Sequence, residues 1–143
     1  MIDSLGIKIK KLKVISLEDG DVLRGLKSTE REFSSFGEVY FSCIKKNTIK
    51  AWKKHKEMTL NFIVPYGEVK FVIFKEPFDK NFSEYTISRN NFCRLTIPPN
   101  LWVGFQGKSF NESIICNIAN LIHDPEEIDR LDLKAIKYNW KND

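Results

Sequence analysis

Hydrophobic and polar residues alternate along most of the chain in short runs, a pattern typical of strands with one buried and one solvated face. The first run, residues 6–15, alternates apolar with basic residues. Nine more runs follow, each rich in β-branched or aromatic residues and bounded by turn formers: 22–27, 38–44, 48–53, 58–64, 69–74, 83–88, 92–97, 102–105 and 113–118. The pattern therefore predicts about ten strands.

A helical signal occurs only near the C-terminus. Asp124 can cap a turn that begins with Pro125 and carries Glu126 and Glu127 at its positive end. This signal predicts one or two helical turns. No repeat, low-complexity tract or linker interrupts residues 1–143, so we expect a single domain.

Many strands and almost no helix predict an all-β, double-sheet jelly roll that encloses a cavity. An immunoglobulin-like sandwich is the alternative, but its centre would be filled with apolar side chains. Here the middle strands carry polar residues at alternating positions, among them Lys53, His55, Glu57 and Asn61. Polar groups that point into a β-structure are costly unless they are paired or used.

The composition argues against two kinds of partner, nucleic acids and membranes, and indicates a reducing compartment. The formal net charge is +4, with 23 basic residues scattered among 19 acidic ones, so we expect no nucleic-acid partner. No apolar run approaches the roughly 20 residues that span a membrane, so no membrane partner is expected either. The three cysteines, Cys43, Cys93 and Cys116, are widely spaced and form no CxxC pair. They predict reduced thiols and a cytoplasmic protein.

The strand around residue 53 concentrates the candidate chemistry. Strict alternation puts Ala51, Lys53, His55 and Glu57 on one face and the other residues, including Lys50 and Trp52, on the opposite face. The small Ala51 favours the first face as the inner one. A solvated basic edge strand is the alternative. If the first face is inside, His55 and Lys53 are candidate proton carriers, with Tyr40, Tyr66, Tyr85 and Tyr138 as possible acids.

Other residues suit a ligand with a flat ring and a diphosphate. Trp52 and Trp102 could stack on a base or sugar, and Arg94 and the lysine cluster at 50–56 could pair with phosphate oxygens. No metal is expected, because residues 97–105 contain no histidine to complete a ligand set. No phosphate loop or dinucleotide fingerprint is present, so no cofactor is predicted.

Five segments together resemble one family of proteins. They are Ala-Trp-Lys-Lys-His-Lys-Glu-Met at 51–58, Val-Pro-Tyr-Gly-Glu-Val-Lys-Phe at 64–71, residues 94–105 with their Pro-Pro-Asn-Leu-Trp-Val core, His-Asp-Pro-Glu-Glu-Ile-Asp-Arg-Leu at 123–131, and Tyr-Asn-Trp at 138–140. In order and spacing they resemble the dTDP-4-dehydrorhamnose 3,5-epimerase family of cupins. The resemblance implies a metal-free homodimer that binds a dTDP-linked 4-keto-6-deoxyhexose and moves protons next to the ketone, in surface polysaccharide biosynthesis.

Several positions depart from the family pattern. Lys53 stands at the position of the usual histidine base, Lys50 at that of an arginine, and Asn117 near that of a tyrosine acid. Two alternatives therefore stay open: an inactive nucleotide-sugar-binding module, and a sugar 3,4-ketoisomerase, whose His-Ala-His-Lys motif matches here at His55 and Lys56. The predicted catalytic residues are Lys53 and His55. The predicted substrate-binding residues are Lys50, Trp52, Glu57, Asn61, Arg94, Trp102 and Asn117.

Overall fold

The computed structural model describes residues 1–77 and 81–141. Within them the chain forms twelve strands: β1 (Lys8–Lys11), β2 (Val14–Ile15), β3 (Val22–Leu23), β4 (Glu38–Ile44), β5 (Ile49–His55), β6 (Leu60–Tyr66), β7 (Glu68–Phe74), β8 (Ser83–Ser88), β9 (Cys93–Ile97), β10 (Trp102–Gly107), β11 (Ser113–Ala119) and β12 (Ile128–Arg130). Two short 3₁₀ turns, Pro125–Glu127 and Leu133–Ala135, are the helical elements of this part of the chain. None of its helices is long and apolar enough to cross a membrane.

Ten of the strands form two antiparallel five-stranded sheets. The first sheet has the order β1-β9-β6-β11-β4 and the second β12-β5-β10-β7-β8, while β2 and β3 form a separate hairpin. Apolar side chains from both sheets meet between them, as where Phe62 of β6 stacks on Phe71 of β7 with ring centroids 5.2 Å apart. The sheets face each other without closing into a continuous barrel. This arrangement confirms the predicted jelly roll.

The strands follow the alternation of the sequence closely. Strands β4 and β8 have the predicted bounds, and along β4 Tyr40 and Ser42 face the other sheet while Val39 and Phe41 are exposed. The first predicted strand, 6–15, is instead divided into β1 and β2. Between them the backbone N–H of Leu12 donates to Phe92, which lies just before β9. The turn expected at 77–81 lies partly outside the described residues.

The C-terminal segment differs most from the prediction. The capped turn is present, because the Asp124 side chain accepts a hydrogen bond from the backbone N–H of Glu126. After it the chain adds β12 to the edge of the second sheet beside β5, a strand that the pattern does not predict. Residues 131–140 then cross the outer face of this sheet, where Trp140 packs against Trp52.

Candidate functional site

A cavity of about 410 Å³ lies between the two sheets. Its walls come from β4, β6 and β11 on one side and from β5, β10 and the β12 segment on the other. The lining combines an apolar floor with a polar set: Tyr40, Ser42, Lys50, Lys53, His55 and Arg130. An apolar pocket with a few convergent polar groups is the usual form of a small-molecule site.

The pairing of β5 with β10 brings two lysines to this cavity. Lys53 pairs with Val103 and Lys50 with Phe105, and the register shifts between these two pairs. The shift is an irregularity of the kind called a β-bulge, which interrupts strict alternation. Both lysines therefore line the cavity, whereas alternation alone predicted Lys50 on the opposite face.

His55 lines the cavity and forms a buried pair with Glu127, which lies behind the cavity lining. The two side chains are 6% and 5% exposed, and His55 Nδ1 donates a hydrogen bond of 2.5 Å to Glu127 Oε1. An ionised carboxylate only accepts hydrogen bonds, so the imidazole carries its hydrogen on Nδ1 and keeps a lone pair on Nε2. Glu127 thus fixes the tautomer of a histidine whose basic nitrogen is Nε2.

Opposing effects set the charge of this pair. Burial lowers the pKa of His55 below its ordinary value, although the hydrogen bond and charge of Glu127 work in the opposite direction. Burial alone would raise the pKa of Glu127. Hydrogen bonds from His55 and from the backbone of Glu57 and Met58 outweigh that effect and hold its pKa below the ordinary range. The pair is therefore a neutral imidazole and a carboxylate at neutral pH, which is the state of a general base.

Three cations, Lys50, Lys53 and Arg130, line the same cavity without a carboxylate to neutralise them. None of the three forms an ion pair with a described acidic side chain. Lys50 Nζ donates to the backbone oxygen of Cys43 at 3.0 Å. Arg130 is the cross-strand partner of Lys53. Such a cluster of uncompensated positive charge in a concave site attracts an anionic ligand.

Tyr40 faces the cavity from the opposite sheet. Its hydroxyl accepts a hydrogen bond of 2.9 Å from Asn117 Nδ2, and burial raises its pKa above the ordinary value. Asn117 Oδ1 in turn accepts from the backbone N–H of Asn61, whose side chain accepts from Thr96. Asn61 and Asn117 are thus buried behind Tyr40 and do not line the cavity, which corrects the prediction that they contact substrate directly.

The structure places two more of the predicted substrate contacts, Trp102 and Glu57, away from the cavity. Trp102 lies on the outer face of the second sheet, where its Nε1 donates to Glu76. Trp52 borders the cavity, but its ring packs against Phe74 and Trp140 in the same outer cluster. Glu57 is exposed beyond the end of β5.

Arg94 is fully buried away from the cavity on the outer face of the first sheet. Its guanidinium pairs with Glu30 and Glu32 at 2.8 Å each and donates to the backbone oxygen of Gly25. The residues that alternate with it, such as Leu95, point into the core. Arg94 therefore fastens the segment around residues 25–32 to the sheet, and the predicted diphosphate contact at this position is wrong.

Two site residues, Glu127 and Arg130, were not predicted. The sequence identified Glu127 only as an acid in the first turn of a helical segment. Its partner His55 is 72 positions away, and no spacing rule connects them. Within residues 1–77 and 81–141, no group of three His, Cys, Asp or Glu side chains is placed to hold a metal ion.

Two facing antiparallel sheets around a polar-lined cavity define a jelly roll of the cupin class. No protein-family model and no curated protein matches the chain. Among solved structures, a dTDP sugar isomerase from Desulfovibrio desulfuricans G20 is similar over 96% of this chain and 92% of its own, with 32% identity and a TM-score of 0.88. The chain belongs to the family of this protein, the cupins that epimerise or isomerise dTDP-linked sugars, and the family resemblance in the sequence is confirmed.

More distant structures share the fold. A dTDP-4-dehydrorhamnose 3,5-epimerase from Sulfolobus tokodaii has 21% identity over 96% of this chain and 84% of its own, with a TM-score of 0.80. A sugar 3,4-ketoisomerase from Thermoanaerobacterium thermosaccharolyticum, solved in complex with TDP, has 17% identity over 87% of this chain and 88% of its own, with a TM-score of 0.74.

Proposed function

We propose that this protein is an isomerase or epimerase of a dTDP-linked 4-keto-6-deoxyhexose and that it moves a proton at a carbon next to the ketone. One observation carries the proposal: the cavity that is lined by His55, the partner of the buried Glu127, is also lined by cations with no acidic partner. The first feature suits proton transfer and the second suits a diphosphate. The family of the dTDP sugar isomerase supports the same substrate class.

The proton chemistry starts at His55. A hydrogen on a carbon next to a ketone is acidic, because the electron pair left behind moves onto the carbonyl oxygen. His55 Nε2 takes this proton, and Glu127 stabilises the imidazolium that forms. Since β5 and β4 belong to opposite sheets, a sugar ring between them has His55 on one side and Tyr40 on the other. Tyr40 is placed to return a proton from the far side, which inverts the carbon.

The anionic part of the substrate has its own partners. Lys50 and Arg130 line the cavity and are exposed to solvent, so their charges are accessible to a ligand that enters from outside. Charge-assisted hydrogen bonds from a lysine and an arginine are well matched to a diphosphate. We assign the diphosphate to these two residues and the sugar to the buried end beside His55.

Exchange of hydrogen with solvent tests the proposal. The protein in D₂O is incubated with a panel of dTDP-4-keto-6-deoxysugars, and NMR follows deuterium at C3, C4 and C5. We expect wash-in that falls by about 10²-fold or more in His55→Gln, whereas His123→Gln, an exposed histidine, behaves as wild type. Wash-in with inversion identifies an epimerase, and wash-in with migration of the ketone from C4 to C3 identifies a 3,4-ketoisomerase. Tight binding without wash-in contradicts the enzyme and leaves a binding module.

We also propose that the protein works as a homodimer in the cytoplasm, in the synthesis of a surface polysaccharide. The edge strand β4 supports the dimer, because Val39 and Phe41 are 44% and 64% exposed on its outer face. Exposed apolar side chains on a sheet edge favour association. Light scattering should give twice the chain mass of 16.7 kDa, and Phe41→Lys should reduce it to one. A wild-type monomer contradicts this proposal.

A further inference from the structure

Lys53 differs from the lysines around it. Its side chain is half-buried in the cavity, and it has no hydrogen bond or ion pair to any described residue. Lys54, its neighbour, points outward and pairs with Glu76 at 2.9 Å and Asp129 at 3.6 Å. Lys56 reaches Asp129 as well. Among Lys53, Lys54 and Lys56, the lysine that lines the cavity is therefore the one without a partner.

The surroundings of Lys53 favour a neutral amine. Burial lowers the pKa of Lys53, and the positive charges of Arg130 and Lys50 lower it further, against a smaller opposing effect of Glu127. A lysine that is desolvated beside other cations is the kind that acts as a nucleophile towards carbonyl compounds. A bound sugar excludes more water from the cavity, so the main cause of the shift persists in the complex, while the diphosphate engages Lys50 and Arg130.

We propose that Lys53 is a catalytic residue that forms a covalent imine with the ketone of the substrate. The proposal rests on the proposed function and deepens it. Lys53 and His55 are two residues apart on β5 and line the same cavity. A ketone within reach of the amine is therefore also beside the base that serves it.

The steps balance without a further reagent. The Lys53 nitrogen forms a bond to the carbonyl carbon, and the C=O electron pair moves to oxygen, which gains a proton to give a carbinolamine. The carbinolamine loses water and leaves a protonated imine. His55 Nε2 then removes the proton from the adjacent carbon, and the C–H electron pair moves toward the cationic nitrogen to give a neutral enamine. Reprotonation of the same carbon regenerates the protonated imine, and addition of water releases the epimerised ketone, the free amine and the proton taken up in the first step.

Trapping with sodium cyanoborohydride tests the imine. This reagent reduces an iminium ion to a stable amine, so wild-type protein with a dTDP-4-keto-6-deoxysugar should gain the mass of the reduced sugar nucleotide on Lys53, as peptide mass spectrometry locates it. Lys53→Arg keeps a long basic side chain but cannot form an imine. It should show no adduct, and its solvent exchange should fall by about 10²-fold or more. Lys54→Arg, the matched control one position along β5, should keep both adduct and exchange.

The outcomes separate this proposal from the proposed function. Normal exchange in Lys53→Arg, or exchange in wild type without an adduct, overturns the imine and leaves the isomerase in place. If no dTDP-sugar exchanges at all, the proposed function fails, and the nucleophile is then tested with pyridoxal 5′-phosphate and cyanoborohydride. Lys53 should be labelled well before the outward Lys54. Equal labelling of the two overturns the proposal, and circular dichroism verifies that each variant is folded.

Discussion

Glu127→Gln isolates the contribution of the carboxylate to the base. The substitution keeps the size of the side chain and an oxygen that can still accept from His55 Nδ1, but it removes the negative charge. Glu127 is 5% exposed and its partner 6%, so solvent does not replace the lost interaction. The imidazolium that forms when His55 takes a proton then lies buried without its counter-charge.

The magnitude follows from the hydrogen bond that is lost. A hydrogen bond to a charged group contributes about 1.5 to 3 kcal/mol. If that amount is lost only when the imidazolium forms, kcat falls by about 10- to 150-fold. The pH dependence changes as well. The charge of Glu127 raises the pKa of His55, so its removal lowers this pKa, and the acidic limb of kcat/KM moves to lower pH.

Steady-state rates between about pH 4 and 9 measure both effects, and Glu126→Gln is the control because this neighbouring carboxylate is exposed. We expect the control to match wild type in rate and in pH profile. A Glu127→Gln protein with unchanged kcat and an unmoved acidic limb would refute the reasoning, because it would mean that His55 works without its partner. Substrate affinity from thermal shifts distinguishes a loss of catalysis from a loss of binding.

Three further predictions concern the framework of the site. Arg94→Met should lower the free energy of unfolding by about 3 kcal/mol without weakening dTDP binding. Lys8→Met, at an exposed ion pair, is the control and should lower it by at most about 1 kcal/mol. Urea titration measures the free energy of unfolding of both variants, and a binding isotherm measures their affinity for dTDP. Trp140→Ala should destabilise the protein by about 3 kcal/mol and weaken dTDP binding, because it loosens the β12 segment. Leu133 lies on the same segment but is more exposed, so Leu133→Ala should cause neither effect. Gly104→Ala should cost about 1 to 3 kcal/mol, since an added Cβ would lie 2.7 Å from a side chain of β5; an unchanged melting temperature contradicts it.

Local patterns in the sequence predicted most of the fold. Period-two alternation is strong in residues 38–44 and 83–88, and there the predicted bounds are the observed ones. Strand β12 is only three residues long, so it shows no period, and it exists because the β5 edge offers it backbone partners. Alternation also fails where a bulge intervenes, which explains why Lys50 was assigned to the wrong face.

The site was harder to predict from the sequence than the fold. Lys53 and His55 were brought to attention by their spacing on one strand, and the structure places both at the cavity. The partner of His55 lies 72 residues away in the sequence, and the two residues meet only because the tail packs against β5. Arg94 was misassigned because a buried, ion-paired arginine and a ligand-binding arginine look alike in a sequence, and only its position on the outer face separates them.

Strand β12 and the turn before it supply the last residues of the site along the chain. The two sheets are built mostly from residues up to position 119, yet the partner of the proposed base, Glu127, and one of the cations that we propose bind phosphate, Arg130, lie beyond that position. The proposed site is therefore completed by a short segment that contributes only one edge strand to the two sheets. By the same reasoning, we expect a chain that is cut at the exposed Asp124 and has lost its tail to be inactive and less stable than the whole protein.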